Sequence, residues 1–305
     1  MLVRKDASEN PLARGFLEAS KIECSKGFSM KIGIVGLGLM GGSLALSLKN
    51  LPFVSRIVGS DHNSEHRRQA MGLGLVEEIV TLDTIKRCDV IFLAIPVDGV
   101  IALLQELDGE IRSDTTVIDL GSTKERIVNA VPASIRSNFV AAHPMTGTER
   151  FGPTAAIDEL YHDKVVVLCD MDDSGEHQQE TAVRLFSGLH MRLHYMRAHE
   201  HDRHAAFISH MPHAISYSIA NTVLAQEDKY NILALAAGGF RSMSRLAKSS
   251  PNMWEDIFRQ NKHNLIEAIE LFESELENLK KAIKNEEWPA VRNKMENANK
   301  LHDIL

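Results

Sequence analysis

Gly36-Leu37-Gly38-Leu39-Met40-Gly41 is a GxGxxG turn between the apolar run Ile32-Gly33-Ile34-Val35 and the helix-like stretch Gly42-Ser43-Leu44-Ala45-Leu46. Gly36 permits a tight turn, Gly38 lets a pyrophosphate approach the backbone, and Gly41 lets helix and strand pack closely. The helix N-terminus adds unpaired N–H groups and a partial positive charge. Glycines also make plain turns, but a strand before and a helix after point to dinucleotide binding by Gly36, Leu37, Gly38, Leu39, Met40 and Gly41. A second apolar run, Arg56–Gly59, ends in Ser60-Asp61, twenty residues beyond Gly41. A carboxylate there is placed to bind ribose hydroxyls. It accepts from the free diol of NAD and repels the extra phosphate of NADP. NAD is therefore favoured over NADP, with His62, Arg67 and Arg68 close enough to offset the charge.

A second constellation lies at two later strand ends, Asp119-Leu120-Gly121-Ser122-Thr123-Lys124 and Ala142-His143-Pro144-Met145-Thr146-Gly147-Thr148-Glu149. Ligands of open α/β sheets bind beyond the carboxyl ends of the strands, so Ser122 and His143 are candidates to face a nicotinamide. Oxidation of a carbinol needs a group that takes the hydroxyl proton as hydride leaves, and neutral histidine suits that task near pH 7. Ser122 could orient the imidazole or contact substrate. The bland alternative is a loop histidine bonded to backbone. The histidines His199, His201, His204 and His210 have spacings a metal could use. No Cys or matching Glu joins them and hydride transfer needs no metal, so no metal site is expected.

The elements that must hold these residues follow a rhythm. Apolar runs recur at Lys31–Val35, Arg56–Gly59, Val90–Ile95, Thr116–Leu120, Phe139–Ala142, Val165–Cys169 and Arg192–Tyr195, several of them continuous as in strands buried on both faces. Helix-like stretches Gly42–Lys49, Glu65–Met71, Val97–Leu107 and Lys124–Val131 alternate with the early runs, which predicts βαβ units and a parallel sheet. The later runs are expected to extend it antiparallel. Beyond Arg197 the strand signal stops, and His199–Leu224, Asn231–Lys248, Asn252–Lys284 and Glu286–Ile304 read as helices, the first kinked at Pro212 and the third begun near Pro251. Ile266, Ile269, Phe272, Leu276, Leu279 and Ile283 give one helix a long apolar face.

The expected division is residues 1–30 as a loosely attached extension, 31–198 as an α/β domain and 199–305 as a helical domain. The extension carries Asp6, Glu9, Glu18 and Glu23 and lacks the apolar core of a secretory signal. The 305 residues include 34 Lys+Arg and 41 Asp+Glu, a formal charge of −7 that offers no whole-molecule field to nucleic acid or an anionic membrane. The 3 cysteines are far apart, as expected in a reducing cytoplasm, and no apolar run is long enough to span a bilayer.

Several of these pieces, taken in order, resemble one family. They are Gly36–Gly42, Asp119–Lys124, His143–Glu149, His210-Met211-Pro212-His213, Gly238-Gly239-Phe240 through Arg245, and Ser249-Ser250-Pro251-Asn252-Met253-Trp254. Together they look like the prephenate/arogenate dehydrogenases of tyrosine biosynthesis, over residues 31 to 285. The resemblance implies a Rossmann-type dinucleotide-binding domain followed by an all-helical dimerisation domain, a homodimer, and NAD as cofactor. It implies oxidative decarboxylation of prephenate or arogenate: hydride leaves C4, the hydroxyl proton is withdrawn, and CO2 departs as the ring becomes aromatic. In these terms His143 is the base and Ser122 its neighbour. Arg245 is the substrate-carboxylate ligand, His213 the matching histidine of the second domain, and Glu149 and Trp254 line the site. Tyrosine, which resembles the product, could enter the same pocket.

Two other readings stay open. The β-hydroxyacid dehydrogenases share the glycine turn and a helical second domain, but their helical lysine has no counterpart after Gly238-Gly239, where Phe240-Arg241 follow. A non-catalytic NAD-binding regulator on the same fold would need no base at His143. Arg245 lies near Arg241 and Lys248, so a solvated charged helix is its plain alternative.

Overall fold

Met30–Val35 (β1) is the hub of an eight-stranded sheet in the computed structural model, which describes residues 29–304. The other strands are β2 (Val54–Ser60), β3 (Glu78–Ile79), β4 (Val90–Leu93), β5 (Thr116–Asp119), β6 (Phe139–Pro144), β7 (Val165–Cys169) and β8 (Arg192–Met196). Their order is β3-β2-β1-β4-β5-β6-β7-β8. The first six are parallel to one another, and the order reverses on either side of β1, the topology of a doubly wound nucleotide-binding fold. The carboxyl end of β1 is thus the switch point at which such sheets open a crevice.

The sheet is covered on both sides, which is why β4 and β5 are buried at every residue and read as continuous apolar runs. Ile32, Ile34, Phe92, Ile118, Val140 and Leu168 pack on one face. Ile91, Leu93, Val117, Phe139, Ala141 and Cys169 pack on the other, against helix Val97–Leu107. The helices of this unit are α1 (Leu39–Leu48), α2 (Ser64–Gly72), α3 (Leu82–Ile85), α4 (Val97–Leu107), α5 (Glu125–Ala130) and α6 (Glu176–Gly188). The antiparallel extension holds only at the β6–β7 junction, because α6 crosses over to make β8 parallel to β7. Sequence periodicity gave no sign of α6. Its buried face includes Gln178 and Thr181 beside Ala182, Leu185 and Phe186, so two of its five buried residues are polar. Gln178 earns that burial by donating to the carbonyls of Ser113 and Thr115.

The described chain divides into two compact units, the first ending at Ala198 and the second starting at His199. The expectation of a loose extension falls outside the described residues except at its last two. Of these, Met30 is buried and paired to β2, so the first strand starts one residue before the expected boundary.

The second unit is helical, with more breaks than its periodicity suggests. Its helices are α7 (Ala198–Ala205), α8 (Met211–Leu224), α9 (Lys229–Ala234), α10 (Gly238–Ser244), α11 (Pro251–Gln260), α12 (Lys262–Lys284) and α13 (Trp288–Asn299). Between α7 and α8, residues Ala206–His210 form a π-helical turn. Pro212 has no N–H and its ring clashes with a carbonyl one turn back. A widened turn absorbs that conflict without ending the helix, so the expected kink is a bulge placed just before the proline. Arg245–Lys248 is a 3-10 turn rather than part of a long helix. The run across α11 and α12 breaks at Asn261, whose φ of −107° and ψ of 30° are not helical. Among the described residues no helix is long and apolar enough to cross a membrane.

Candidate active site

The glycine turn has the steric requirements its sequence suggests. Gly36 has φ +92°, and a Cβ there would collide with the Ala94 carbonyl at the end of β4. A Cβ at Gly41 would strike the Gly36 carbonyl oxygen, so strand and helix meet backbone to backbone. Gly38, the N-cap of α1, is different: a Cβ there would meet nothing within 4 Å. The backbone is bare on that side, which leaves room for a ligand to approach it. Helical geometry leaves the Leu39, Met40 and Gly41 N–H groups without intrahelical acceptors. Leu37 and Leu39 are buried, and the Leu37 N–H is taken by Asp61, so of the two only Leu39 can offer a cofactor a backbone N–H.

Asp61 follows β2 and is nearly inaccessible, its side chain 4% exposed. Oδ2 accepts the Leu37 N–H at 2.8 Å and Oδ1 accepts the Asn63 N–H at 2.8 Å. The carboxylate therefore ties the glycine turn to the end of β2 and also supplies the negative charge expected there. Of the cations that could offset it, Arg67 donates to the Asp61 and His62 carbonyls and Arg68 is paired with Glu65. The His62 side chain is 91% exposed.

Ser122 and His143 leave the adjacent parallel strands β5 and β6, whose register pairs Asp119 with Ala141. Both are half-buried. Beneath them lies an ion pair to which sequence reasoning gave no role: Asp119 and Lys124, each with a fully buried side chain. Burial pushes the Asp119 carboxyl up, and the Lys124 ammonium beside it pulls the other way. A charged residue ending a strand buried at every position, with a lysine five residues on, was the available signal.

The segment after His143 runs back to α1 and is lashed to it. Thr146 Oγ1 donates to the Leu160 carbonyl, Ser43 Oγ accepts the Ile157 N–H at 2.9 Å, and the buried Tyr161 hydroxyl donates to the Met40 carbonyl at 2.8 Å. Ser43 and Gly42, which continue the glycine motif, thus hold the loop of the candidate base against the nucleotide helix. Glu149 lies on the exposed part of that loop.

The helical unit gathers the other candidates. The His213 ring stacks on Trp254 with centroids 3.4 Å apart, and His210 meets the same indole edge-on at 6.0 Å. His213 Nδ1 lies 2.9 Å from the Ser209 carbonyl, which only accepts, so Nδ1 carries the proton. Burial lowers the His213 pKa, and the positive charge of Arg245 lowers it further, against the Ser209 bond. Arg245 itself is exposed. Its 3-10 turn is pinned to α8, where Ser216 Oγ accepts the Ala247 N–H and Tyr217 donates to the Ser249 carbonyl. Trp254 is 6% exposed and its Nε1 has no hydrogen-bond acceptor. It lines an open pocket with Tyr217, Pro251, Glu255 and Phe258. A buried indole donor without a partner beside an open pocket is suited to a polar ligand atom.

His201, of the histidine series, instead bonds Asp202 at 2.8 Å. Asn261 Nδ2 donates to the Asp202 carbonyl and to His210 Nδ1. Among the described residues no group of three or more His, Cys, Asp or Glu is arranged to hold a metal.

A sequence model of the prephenate dehydrogenase nucleotide-binding domain matches residues 44–195, and one of the prephenate dehydrogenase dimerization domain matches residues 197–297. The prephenate dehydrogenase of Lactococcus lactis is 31% identical over 285 residues, 90% of this chain and 77% of that protein. Among solved structures, the prephenate dehydrogenase of Aquifex aeolicus in complex with hydroxyphenyl propionate and NAD+ superposes with a TM-score of 0.85 at 31% identity, covering 92% of this chain and 100% of that one. The arogenate dehydrogenase of Synechocystis superposes with a TM-score of 0.76 at 26% identity, over 90% of this chain and 99% of that one.

Proposed function

Because the chain belongs to the prephenate dehydrogenase family, we propose that it converts prephenate to 4-hydroxyphenylpyruvate and CO2 with reduction of NAD+, a step of tyrosine biosynthesis. The observation that supports this reading is the placement of Ser122 and His143 at the carboxyl ends of the adjacent parallel strands β5 and β6, in a sheet whose switch point bears an open glycine turn. Prephenate is favoured over arogenate because the relatives at 30% identity or more are prephenate dehydrogenases.

NAD+, when bound, supplies the acceptor for the hydride that leaves C4. The chain's own residues do the rest. The free N–H groups of Leu39, Met40 and Gly41 take the pyrophosphate at the N-terminus of α1. Asp61 takes the ribose diol and disfavours a 2′-phosphate. His143 removes the C4 hydroxyl proton as the carbon is oxidised, and the Ser122 hydroxyl orients the imidazole or the substrate. CO2 then leaves with its bonding electrons remaining in the ring, which becomes aromatic, so no second base is required. In the helical unit Arg245 holds a substrate carboxylate through its planar fork. Trp254 Nε1 faces the pocket of that unit with the His213 ring stacked on its indole, and Glu149 is the acidic residue on the loop after His143. The protein acts as a homodimer through the helical unit.

The test is the rise of NADH absorbance on adding prephenate, set beside arogenate and NADP+ under the same conditions. Turnover of prephenate with NAD+ as the preferred pair is expected. Preference for arogenate would move the substrate assignment within the family, and absence of turnover with either would overturn the enzymatic reading of the site.

A further inference from the structure

One carboxylate and one ammonium, both wholly buried, lie between the two chain segments that carry Ser122 and His143. Asp119 Oδ2 accepts the Gly121 N–H at 3.0 Å, and Oδ1 accepts the Ala142 N–H at 3.2 Å. Lys124 Nζ pairs with Oδ2 and donates to the Ala142 carbonyl at 2.8 Å. Gly121 and Ala142 are the residues immediately before Ser122 and His143. The pair therefore fixes both peptide groups flanking Ala142 and the one preceding Gly121. The fit is close: a Cβ at Gly121 would lie 3.1 Å from Asp119 Oδ2 and 2.9 Å from Ile127 Cδ1.

As a device for stability this arrangement is poor. Desolvating two charges offsets much of their attraction, and apolar side chains of similar volume often serve as well or better. The neighbouring strand β4 ends in an apolar residue, Leu93. What a charged, multiply bonded pair supplies and an apolar one does not is a single allowed orientation for the peptides it holds.

We infer that Asp119 and Lys124 are positioning residues for proton transfer: they lock the backbone ahead of Ser122 and His143 so that hydroxyl and imidazole keep one fixed mutual geometry. The inference rests on the role of Ser122 and His143 proposed above.

The test removes both charges together, as Asp119→Leu with Lys124→Met, so that neither is left buried alone. The paired variant is expected to keep its fold by circular dichroism and to keep the wild-type KM for NAD+. Its kcat should fall about 10- to 100-fold, the scale expected when a reacting group is misplaced by about 1 Å. His143→Asn should then cost far less in the paired variant than in wild type, because residues that act as a unit are not additive. A paired variant with wild-type kcat overturns the inference, as does a fall in kcat that is fully additive with His143→Asn. Asp119→Asn with Lys124→Gln likewise leaves no charge buried alone, and keeps polar groups in the core while removing the ion pair that fixes their orientation. It should lower kcat without changing KM for NAD+, and it decides the matter if the paired variant does not fold: an unchanged kcat overturns the inference. His143→Asn with near-normal kcat would overturn the assignment of the base itself. A crippled His143→Asn beside an undiminished paired variant would overturn only the positioning role.

Discussion

The roles proposed for His143, Arg245 and Asp61 can each be isolated by a single substitution. Replacing His143 by Asn should lower kcat by about 10²–10⁴-fold, the usual worth of general-base assistance, with little effect on NAD+ affinity. Steady-state rates across pH provide the check, since the wild-type rise of kcat with pH should be missing in the variant. Arg245→Ala should raise KM for prephenate by roughly one to two decades, the equivalent of one charge-assisted hydrogen bond, and leave KM for NAD+ nearly unchanged. Arg245→Lys should recover only part, because an ammonium cannot reproduce the fork. An unchanged KM for prephenate would make Arg245 an ordinary surface charge and shift attention to Arg241 or Lys248. Asp61→Ala should weaken NAD+ more than NADP+. It should also lower the melting temperature, since the Leu37 and Asn63 N–H groups lose their acceptor. Equal effects on the two cofactors in binding titrations would remove Asp61 from the ribose.

At the scale of elements, the helical unit is organised by a buried polar knot where α7, the π-helical turn and the start of α12 meet. Burial lowers the His210 pKa to about 4, reinforced by the His201 and His213 charges and opposed by the Asp202 carboxylate. Its unfolded value is near 6.5. A group whose folded pKa is depressed contributes its stability in full above the unfolded value and loses it as pH falls toward the folded one. The window is therefore about pH 6.5 down to about 4, and the loss across it is roughly 3 kcal/mol. Urea unfolding of wild type should weaken across that range, and His210→Asn should show a flatter dependence; identical slopes would show that His210 is not the group responsible. The same knot explains what the sequence did and did not disclose. Continuous apolar strands and the glycine turn were legible because burial on both faces and a left-handed φ each demand particular residue types. Asn261 was not legible as a helix break. Its side chain stops one helix and orders the next only because Asp202 and His210, far away in sequence, are there to accept from it. Asp119 and Lys124 were visible as residues but not as a pair, for the same reason: their shared partner, Ala142, belongs to another strand. The bulge before Pro212 was half legible, since proline announces a conflict without saying how the helix will resolve it.

At the scale of the molecule, the helical unit leaves much apolar surface uncovered in one protomer. On α12 the predicted stripe is only partly packed, with Ile266 43%, Leu276 52% and Ile283 47% exposed. Trp288, Met295 and Leu301 follow at 57%, 58% and 55%. Exposed large apolar residues in this number mark a candidate interaction face, and two copies of the chain can bury it isologously. Light scattering at micromolar concentration should give a dimer, and Leu276→Glu with Ile283→Glu should give a monomer. A fully active wild-type monomer would refute the interface. Such a surface also binds folding to mass action. In the proposed homodimer each protomer's helical unit completes its apolar core against its partner, so association free energy becomes part of folding free energy. The melting temperature of wild type should then climb with protein concentration, while the glutamate variant should melt at one temperature however much it is diluted.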